Sequence, residues 1–406
     1  MNSSFLYHAW GLYNHECTKV EYKGNTIILN IQSKTRLVVC PKCGKPHLVK
    51  NGYRIRDFVG LPLGGKKVII RMKVQRYKCM DEDCDYDQQE NIPFATGSRS
   101  YTHRLAKYVV ELLRGMTLQD VANHQGISWD TVKEIHSDYL RLHYSPPSLE
   151  GVENIGIDEF AVRKGHVYKT IVVDLDSARI LYVGEGKGAD ALDKFWKRCR
   201  RHNAQIKHVA TDLSAAFISS VMENCPDAVH VFDHFHVVKL MNECLDDVRR
   251  KVYSLEKDVN KRKVLKGTRY LLLGNGEDIF DKQHKSRLDN ALAMNEPLSK
   301  AYYLKEQLRE VWSQANKEQA EAVLCEWIKQ AGESNIPQLL KMAATLLAHR
   351  RGILAWYDCH ISTGKIEGIN NKIKVMKRNA YGFRDERYFK LRLYALHDCR
   401  ITRNVG

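Results

Sequence analysis

The sequence lacks an uninterrupted apolar run of about 18 residues, so it predicts no membrane-spanning helix. Its start, MNSSFLYHAWGLYNHE, lacks the basic residues and apolar core of a secretory signal. We therefore expect an intracellular, cytoplasmic protein that does not bind a membrane.

Acidic residues are in short supply. The 48 acids face 64 lysines and arginines, a formal charge of +16. A surplus of this size favours a polyanionic partner, usually DNA or RNA, over the alternative of a merely soluble basic protein. The 406 residues, 44% of them hydrophobic, suffice for two to four domains with real cores.

The cysteines do not indicate a disulfide framework, because their number, 11, is odd and the protein is expected inside the cell. Seven stand alone and are interpreted as small packing residues: Cys17, Cys199, Cys225, Cys244, Cys325, Cys359 and Cys399. The other four form two close pairs.

Those two pairs predict a structural zinc site. Cys40 and Cys43 flank two residues, and Cys79 and Cys84 flank four, spacings that let both thiolates of a pair reach one metal. The pairs follow the strand-like runs TRLVVC and VIIRMKVQRYKC, as the knuckles of a zinc ribbon do. His47 is the alternative ligand. One hairpin fits between the pairs, and its predicted turn residues are Gly60, Gly64 and Gly65.

A helix-turn-helix is predicted next. Apolar spacing indicates a helix over 101–114, Thr117 and Asp120 resemble a capping box, and Gly126 ends the second helix. The third helix, 128–136, is the predicted recognition helix. Its candidate DNA-facing residues are Trp129, Thr131 and Lys133. The alternative is an ordinary helical hairpin.

Beyond Pro146 and Pro147 the pattern predicts three strands, a helix, a strand, a helix and a strand. The strands are predicted over 154–160, 166–173, 179–183, 206–210 and 228–232, and the helices over 190–201 and 214–223. This order is typical of the RNase H-like fold, where the first and fourth strands are neighbours. Asp158 and Asp212 would then face each other and bind hard divalent cations. The alternative for either is a turn cap.

A third acid is expected on a helix after Gly364. Ile366, Ile369, Ile373 and Met376 form an apolar stripe there, and Glu367 lies beside it on a face shared with Asn371, Lys374 and Arg378. Gly368 is predicted to allow close approach of the sheet or of DNA. The alternative is a solvated basic helix.

These motifs resemble the ISL3 (ISL-three) family of bacterial insertion-sequence transposases of the Asp-Asp-Glu type. The resemblance covers the cysteine ribbon, the helix-turn-helix, Gly156-Ile-Asp158-Glu159, Thr211-Asp212 and the stretch from Ser362 to Arg384. Thr363 departs from the Asn that the resemblance leads us to expect there.

The resemblance implies supporting roles at the active site for Asp233 and His236, although a histidine there can equally be structural. It also implies an all-helical insertion that interrupts the core and grips DNA ends or a second subunit. Trp312 and Trp327 lie in that insertion and are interpreted as core residues in preference to contacts.

The predicted architecture is multidomain α+β. The expected domains are an N-terminal segment and zinc ribbon (1–92), a helix-turn-helix (93–147), the first part of an RNase H-like core (148–236), a helical insertion (237–355) and the return helix of the core (356–406).

The predicted function is that of a DNA transposase. Two Mg²⁺ or Mn²⁺ ions held by Asp158, Asp212 and Glu367 would activate water against a phosphodiester and then let the freed 3′-hydroxyl attack target DNA. Lys372, Lys374, Arg378 and Arg384 would hold phosphates. The ribbon and helix-turn-helix would bind the terminal inverted repeats of double-stranded DNA. We expect a dimer or larger assembly, associated with the bacterial nucleoid when bound. The alternatives are a nuclease or resolvase that cuts without joining, and a non-catalytic DNA-binding regulator.

Overall fold

The computed structural model describes residues 3–34, 37–163, 167–275, 277, 281–361 and 363–398. The chain divides into two compact units. The first comprises Met1–Ser145 and Val375–Gly406, and the second comprises Pro146–Lys374. The division thus falls at the Pro146-Pro147 pair. His166, Ser362 and Cys399, which the sequence analysis names, lie outside the described residues.

The first unit begins with a helix and a five-stranded sheet. The elements are α1 (Ser3–Trp10), β1 (His15–Lys23), β2 (Thr26–Ser33), β3 (Leu48–Leu63), β4 (Lys66–Cys79) and β5 (Asp87–Gln89). The strand order is β1-β2-β4-β3, and β5 also pairs with β4. The β1–β2 hairpin was not predicted from the sequence. Its buried face packs into one core with the hairpin of β3 and β4.

Two local predictions in the ribbon are wrong. Among the described residues of TRLVVC, 37–40, no strand forms. Gly64 and Gly65 make the β3–β4 turn with positive φ, but Gly60 lies within β3. An added Cβ at Gly60 would lie 2.9 Å from Trp10 Cδ1, so this glycine makes room for an indole ring.

Three helices follow in the helix-turn-helix order: α2 (His103–Leu113), α3 (Leu118–Gln125) and α4 (Trp129–Tyr144). Thr117 and Asp120 form the predicted capping box, and Gly126 ends α3 with a left-handed φ of 61°. Ser128 caps α4 as predicted. Helix α4, the predicted recognition helix, runs to Tyr144 and is longer than the predicted 128–136, because buried residues continue along it to Leu140.

The second unit contains another five-stranded sheet with two flanking helices. Its elements are β6 (Asn154–Arg163), β7 (Val167–Asp174), β8 (Ile180–Glu185), α5 (Asp193–Arg201), β9 (His208–Thr211), α6 (Ala215–Asn224) and β10 (Val229–Phe232). The order is β10-β9-β6-β7-β8. β6, β7 and β8 are antiparallel neighbours, whereas β9 runs parallel to both β6 and β10. The predicted order of strands and helices is therefore confirmed, with ends shifted by up to a few residues.

Helices fill the described chain after β10. They are α7 (His234–Leu255), α8 (Val259–Gly267), α9 (Arg269–Leu273), α10 (Lys282–Ala293), α11 (Glu296–Arg309), α12 (Lys317–Gly332), α13 (Pro337–Leu354) and α14 (Trp356–Cys359). Trp327 is fully buried in their shared core and its Nε1 donates to the Leu304 carbonyl at 2.6 Å, so it is a core residue as predicted. Trp312 is only partly buried against that core.

The last two helices are α15 (Gly364–Asn379) and α16 (Glu386–Tyr394). Within the first unit α16 packs on α4, where Leu140 and Tyr388 share a small apolar cluster. His136 is buried in this contact, and its Nδ1 lies 2.7 Å from the Tyr388 hydroxyl. None of the helices in the described residues combines the length and apolarity needed to cross a bilayer.

The buried His136 predicts a pH-dependent stability of the first unit. Burial, and then the charge of Arg392, lowers its pKa well below the usual value, so the folded chain leaves the ring neutral. The unfolded chain protonates it below about pH 6.5, and stability therefore falls as the pH drops through that value.

We expect the melting temperature to drop between about pH 7.5 and pH 5.5, and His136→Gln, which cannot titrate, to drop less. His124→Gln removes an exposed histidine of α3 and serves as the matched control. Equal pH dependence in the two variants would contradict this account.

Candidate active site

Asp158 and Asp212 lie on neighbouring strands of the second sheet. Asp158 belongs to β6, and Asp212 directly follows β9, which pairs in parallel with β6 through Gly156 and Ala210. Each carboxylate is held by a local backbone N–H. Glu159 donates to Asp158 Oδ1 at 2.8 Å, and Ser214 donates to Asp212 Oδ1 at 3.0 Å. The sequence prediction that the first and fourth strands of this sheet are neighbours is confirmed by this pairing, and the prediction that the two acids face each other stays a prediction.

The charge of Asp212 acts on the carboxyl group of Asp158. Burial raises the pKa of Asp158, the negative charge of Asp212 raises it further, and the charge of His236 opposes both. The pKa of Glu159 is raised in the same way, by burial and then by Asp212 and Asp158. Glu159 is thus a further acid beside Asp158 and Asp212, and it was not predicted from the sequence as a site residue.

Helix α15 is docked against β6 by the contact of one side chain with bare backbone. An added Cβ at Gly156 would lie 2.4 Å from Ile366 Cδ1, so only glycine leaves room for this isoleucine. The Lys365 ammonium donates to the Leu175 carbonyl at 2.5 Å and ties the same turn of the helix down. Of the two alternatives predicted for Gly368, close approach of the sheet is wrong, because an added Cβ there would meet no heavy atom within 4 Å, and close approach of DNA stays a prediction.

The residue of α15 that touches Asp158 is Asn370. Its Nδ2 donates to Asp158 Oδ2 at 2.8 Å, a contact that the sequence analysis did not identify. Glu367 lies one helical turn earlier and is exposed. Among the described residues, the three predicted acids are not a group whose ligand atoms all lie within 4.8 Å of one another.

Asp233 and Thr363 join the end of β10 to the start of α15. Asp233 is 2% exposed, accepts the Phe235 N–H at the start of α7, and accepts a hydrogen bond from the Thr363 hydroxyl. The Thr363 carbonyl accepts the N–H groups of Ile366 and Glu367 at 2.7 and 3.1 Å. Thr363, the residue that departs from the pattern of the family the sequence resembles, therefore makes a buried contact through its hydroxyl group.

The four paired cysteines form a compact cluster in the first unit. The Sγ atoms of Cys40 and Cys84 lie 3.7 Å apart, as do those of Cys43 and Cys79, and all four lie within 4.8 Å of one another. Four thiolates at this separation suit one tetrahedral Zn²⁺. His47 lies outside the cluster, with Nδ1 3.5 Å from an oxygen of Asp81, so the alternative ligand is not supported.

The predicted DNA-contacting side chains differ in how free they are. Trp129 is 40% exposed, whereas the Thr131 hydroxyl lies 2.8 Å from Ser128 Oγ in the helix cap. The Lys133 ammonium pairs with Asp385 at 2.6 Å. Of the basic residues on and after α15, Lys372 is half-buried and the following are exposed: Lys374, Arg378 and Arg384.

The cysteine cluster predicts that purified protein contains about one zinc ion per chain. We expect Cys43→Ser to lose most of that zinc and to lower the melting temperature of the first unit, because metal binding contributes to the folding of such a module. Metal analysis by mass spectrometry measures the content, with Cys325→Ser, an exposed cysteine outside the cluster, as control. Wild-type protein without zinc would refute the assignment.

The buried contact at Thr363 predicts a specific pattern of stability. Thr363→Val removes the donor to Asp233 and should destabilise the second unit by about 1–3 kcal/mol, since a buried acceptor is left without its partner. Thr363→Asn retains a donor and should stay close to wild type. Denaturant unfolding followed by fluorescence measures both variants. A valine variant as stable as wild type would show that the contact contributes nothing.

Comparisons with known proteins agree with this arrangement. The family model described as a transposase, for the Asp-Asp-Glu transposases of ISL3, matches residues 155–393. The zinc-finger model of transposases IS204/IS1001/IS1096/IS1165 matches residues 36–84, and the helix-turn-helix model of transposase family ISL3 matches residues 90–140.

Similar whole chains are transposases as well. The chain is 33% identical over 378 residues to the transposase for insertion sequence element IS1001 of Bordetella parapertussis, covering 92% of each chain. It is 29% identical over 387 residues to the transposase for IS1557 of Mycobacterium tuberculosis, covering 89% of this chain and 86% of the relative.

Among solved structures, the Drosophila P element transposase strand transfer complex matches with a TM-score of 0.40 and 10% identity, over 73% of this chain and 91% of that one. The family model of the catalytic region spans more than half of the chain, and the Bordetella relative spans nearly all of it. The chain belongs to the ISL3 family of transposases.

Proposed function

We propose that the chain binds the terminal inverted repeats of an insertion sequence, cleaves DNA there and joins the freed ends to target DNA. The observation that carries the proposal is that Asp158 and Asp212 belong to neighbouring strands of the second sheet and that helix α15 contacts Asp158 through Asn370. Asp158, Asp212 and Glu367 are the proposed catalytic acids. The transposase family supplies the substrate class, DNA.

The strand order β10-β9-β6-β7-β8, with three antiparallel strands and two parallel ones, supports an RNase H-like core in the second unit. The helices between β10 and α15 support the proposed insertion over 237–355. The proposed domains are 1–92, 93–147, 148–236, 237–355 and 356–406. The contact of α16 with α4 connects the domain 356–406 to the domain 93–147.

The residues at the sheet edge fit divalent metal ions. Burial and the negative charge of Asp212 both raise the pKa of Asp158 and of Glu159, and a bound cation would offset both effects. Carboxylate oxygens are also the ligands that Mg²⁺ and Mn²⁺ prefer. When bound, two such ions supply an activated oxygen nucleophile and stabilise the leaving 3′-oxygen. Asp158 and Asp212 would hold them, together with Glu367 from α15.

Other side chains position the substrate and the acids. Lys372, Lys374, Arg378 and Arg384 would bind phosphates along and after α15, where their charges offset that of the transferring group. The charge of His236 lowers the pKa of Asp158 and so opposes the effect of burial. Asp233 holds the start of α15 by accepting a hydrogen bond from the Thr363 hydroxyl.

The first unit would recognise the ends, through the zinc ribbon and through Trp129, Thr131 and Lys133 of α4. Lys133 would then exchange Asp385 for a phosphate or a base. Since two ends must be held at once, we propose a dimer or larger assembly on double-stranded DNA.

Substitution of the acids tests the proposal. Asp158→Ala, Asp212→Ala and Glu367→Ala should each reduce cleavage of end-containing DNA by about three orders of magnitude, because several kcal/mol of metal-dependent stabilisation is lost. Binding to the same DNA should persist. Glu223→Gln, which neutralises an exposed acid of α6, is the matched control and should cleave normally.

A strand-transfer assay separates the transposase from its rivals. Pre-cleaved ends, a supercoiled target plasmid and Mg²⁺ should give joined products with the wild-type chain. Cleavage without joining would instead indicate a nuclease or resolvase. DNA binding that is unaffected by the three alanine substitutions, with no cleavage by the wild type, would indicate a regulator.

A further inference from the structure

Only one of the two polar atoms of the Asn370 carboxamide has a hydrogen-bond partner among the described residues. Its Nδ2 donates to Asp158 Oδ2 at 2.8 Å, and its Oδ1 is buried without a hydrogen-bond partner among the described residues. The neighbouring Asn371 is exposed, and its Oδ1 accepts from the Lys374 ammonium at 3.4 Å. Two adjacent asparagines on one helix thus have different surroundings.

The orientation of this amide follows from the chemistry of its partner. An ionised carboxylate only accepts hydrogen bonds, so the NH₂ group of Asn370 must face Asp158 and the carbonyl oxygen must face elsewhere. A buried acceptor without a partner is unfavourable, and folded proteins keep few of them. An aliphatic side chain of similar size would avoid this cost but would also remove the donor to Asp158, so the contribution of the asparagine at this position is its hydrogen bond to that carboxylate.

The contact does explain how Asp158 is oriented. The Glu159 N–H holds one carboxylate oxygen and the Asn370 amide holds the other, both at 2.8 Å, so neither oxygen is free to rotate away. The second of these bonds depends on the docking of Ile366 at Gly156, because that contact fixes α15 beside β6. A ligand carboxylate that is held by hydrogen bonds binds metal more tightly than one that is not.

We propose that Asn370 is a positioning residue of the divalent-metal site. Its amide holds the Asp158 carboxylate in place while the negative charge of Asp212 repels it. The role rests on the proposed function, since it presupposes that Asp158 binds a metal ion. Loss of such a supporting partner lowers metal affinity by roughly 10- to 100-fold.

The test measures metal binding without relying on DNA cleavage. Fe²⁺ with ascorbate cuts the polypeptide beside a bound ion, and the fragments that end near Asp158 and Asp212 report occupancy of this site. The full-length chain is titrated with Fe²⁺ as wild type, Asn370→Leu, Asn370→Ser and Asn371→Leu, and melting temperatures are recorded in parallel. Asn370→Ser shortens the side chain without adding apolar bulk, so it covers the case in which the leucine variant does not fold.

We expect the Fe²⁺ midpoint to rise at least about tenfold in both Asn370 variants and to stay unchanged in Asn371→Leu. In Asn370→Leu the loss of the unsatisfied oxygen and the loss of the donor to Asp158 act on stability in opposite directions, so we expect a melting temperature close to that of the wild type. A wild-type midpoint in a folded Asn370 variant overturns the positioning role.

The Asp158→Asn variant distinguishes a failure of the positioning role of Asn370 from a failure of the proposed metal site. The site-specific fragments should disappear in that variant if Asp158 binds the ion. If they persist, the proposed metal site is wrong and the role of Asn370 is overturned with it. If they disappear while the Asn370 variants behave as wild type, only the positioning role is overturned.

Discussion

The contact between Ile366 and the bare backbone of Gly156 is the constraint on which the arrangement of the second unit's acids depends. Helix α15 returns to the sheet only after the long run of helices α7 to α14, so chain connectivity does not determine where it lands. The position of α15 is determined by the fit of Ile366 against Gly156, since any side chain larger than hydrogen at position 156 would occupy the space of the isoleucine. The lysine before that isoleucine and the threonine at the helix start then fix the first turn through Leu175 and Asp233.

This docking places helix α15, which has a basic face, beside the part of the sheet that carries Asp158, Glu159 and Asp212. Burial, together with the negative charge of Asp212, raises the pKa of Asp158 and of Glu159. Such an arrangement adds nothing to the stability of an isolated fold. It is suited to cations, and the proposed metal ions and a bound phosphate backbone would complete the balance of charge that the chain leaves open.

Much of this could be predicted from the sequence. Alternation and turn residues locate the strands, so Asp158 within one strand and Asp212 after another could be paired as soon as the strand order was inferred. The cysteine spacing and the caps at Thr117 and Ser128 are local signals, and the structure has both caps and a four-cysteine cluster.

What could not be predicted depends on contacts between distant parts of the chain. The approach of Asn370 to Asp158 is set by the rotation of α15 about its axis, which helical periodicity constrains only to within a face. The packing of α16 on α4 and the indole of Trp10 over Gly60 likewise depend on which surfaces meet. The full length of α4 was missed because a motif marks where a recognition helix reads DNA, not where the helix ends.

The central claim is that Asp158, Asp212 and Glu367 hold divalent ions on DNA. A structure of the chain bound to its own end DNA and Mn²⁺, with the ions located by anomalous scattering, tests it most directly. The account predicts manganese coordinated by carboxylate oxygens of all three residues. Manganese bound by Asp158 and Asp212 while Glu367 remains in solvent, or no manganese at this edge of the sheet, would contradict it.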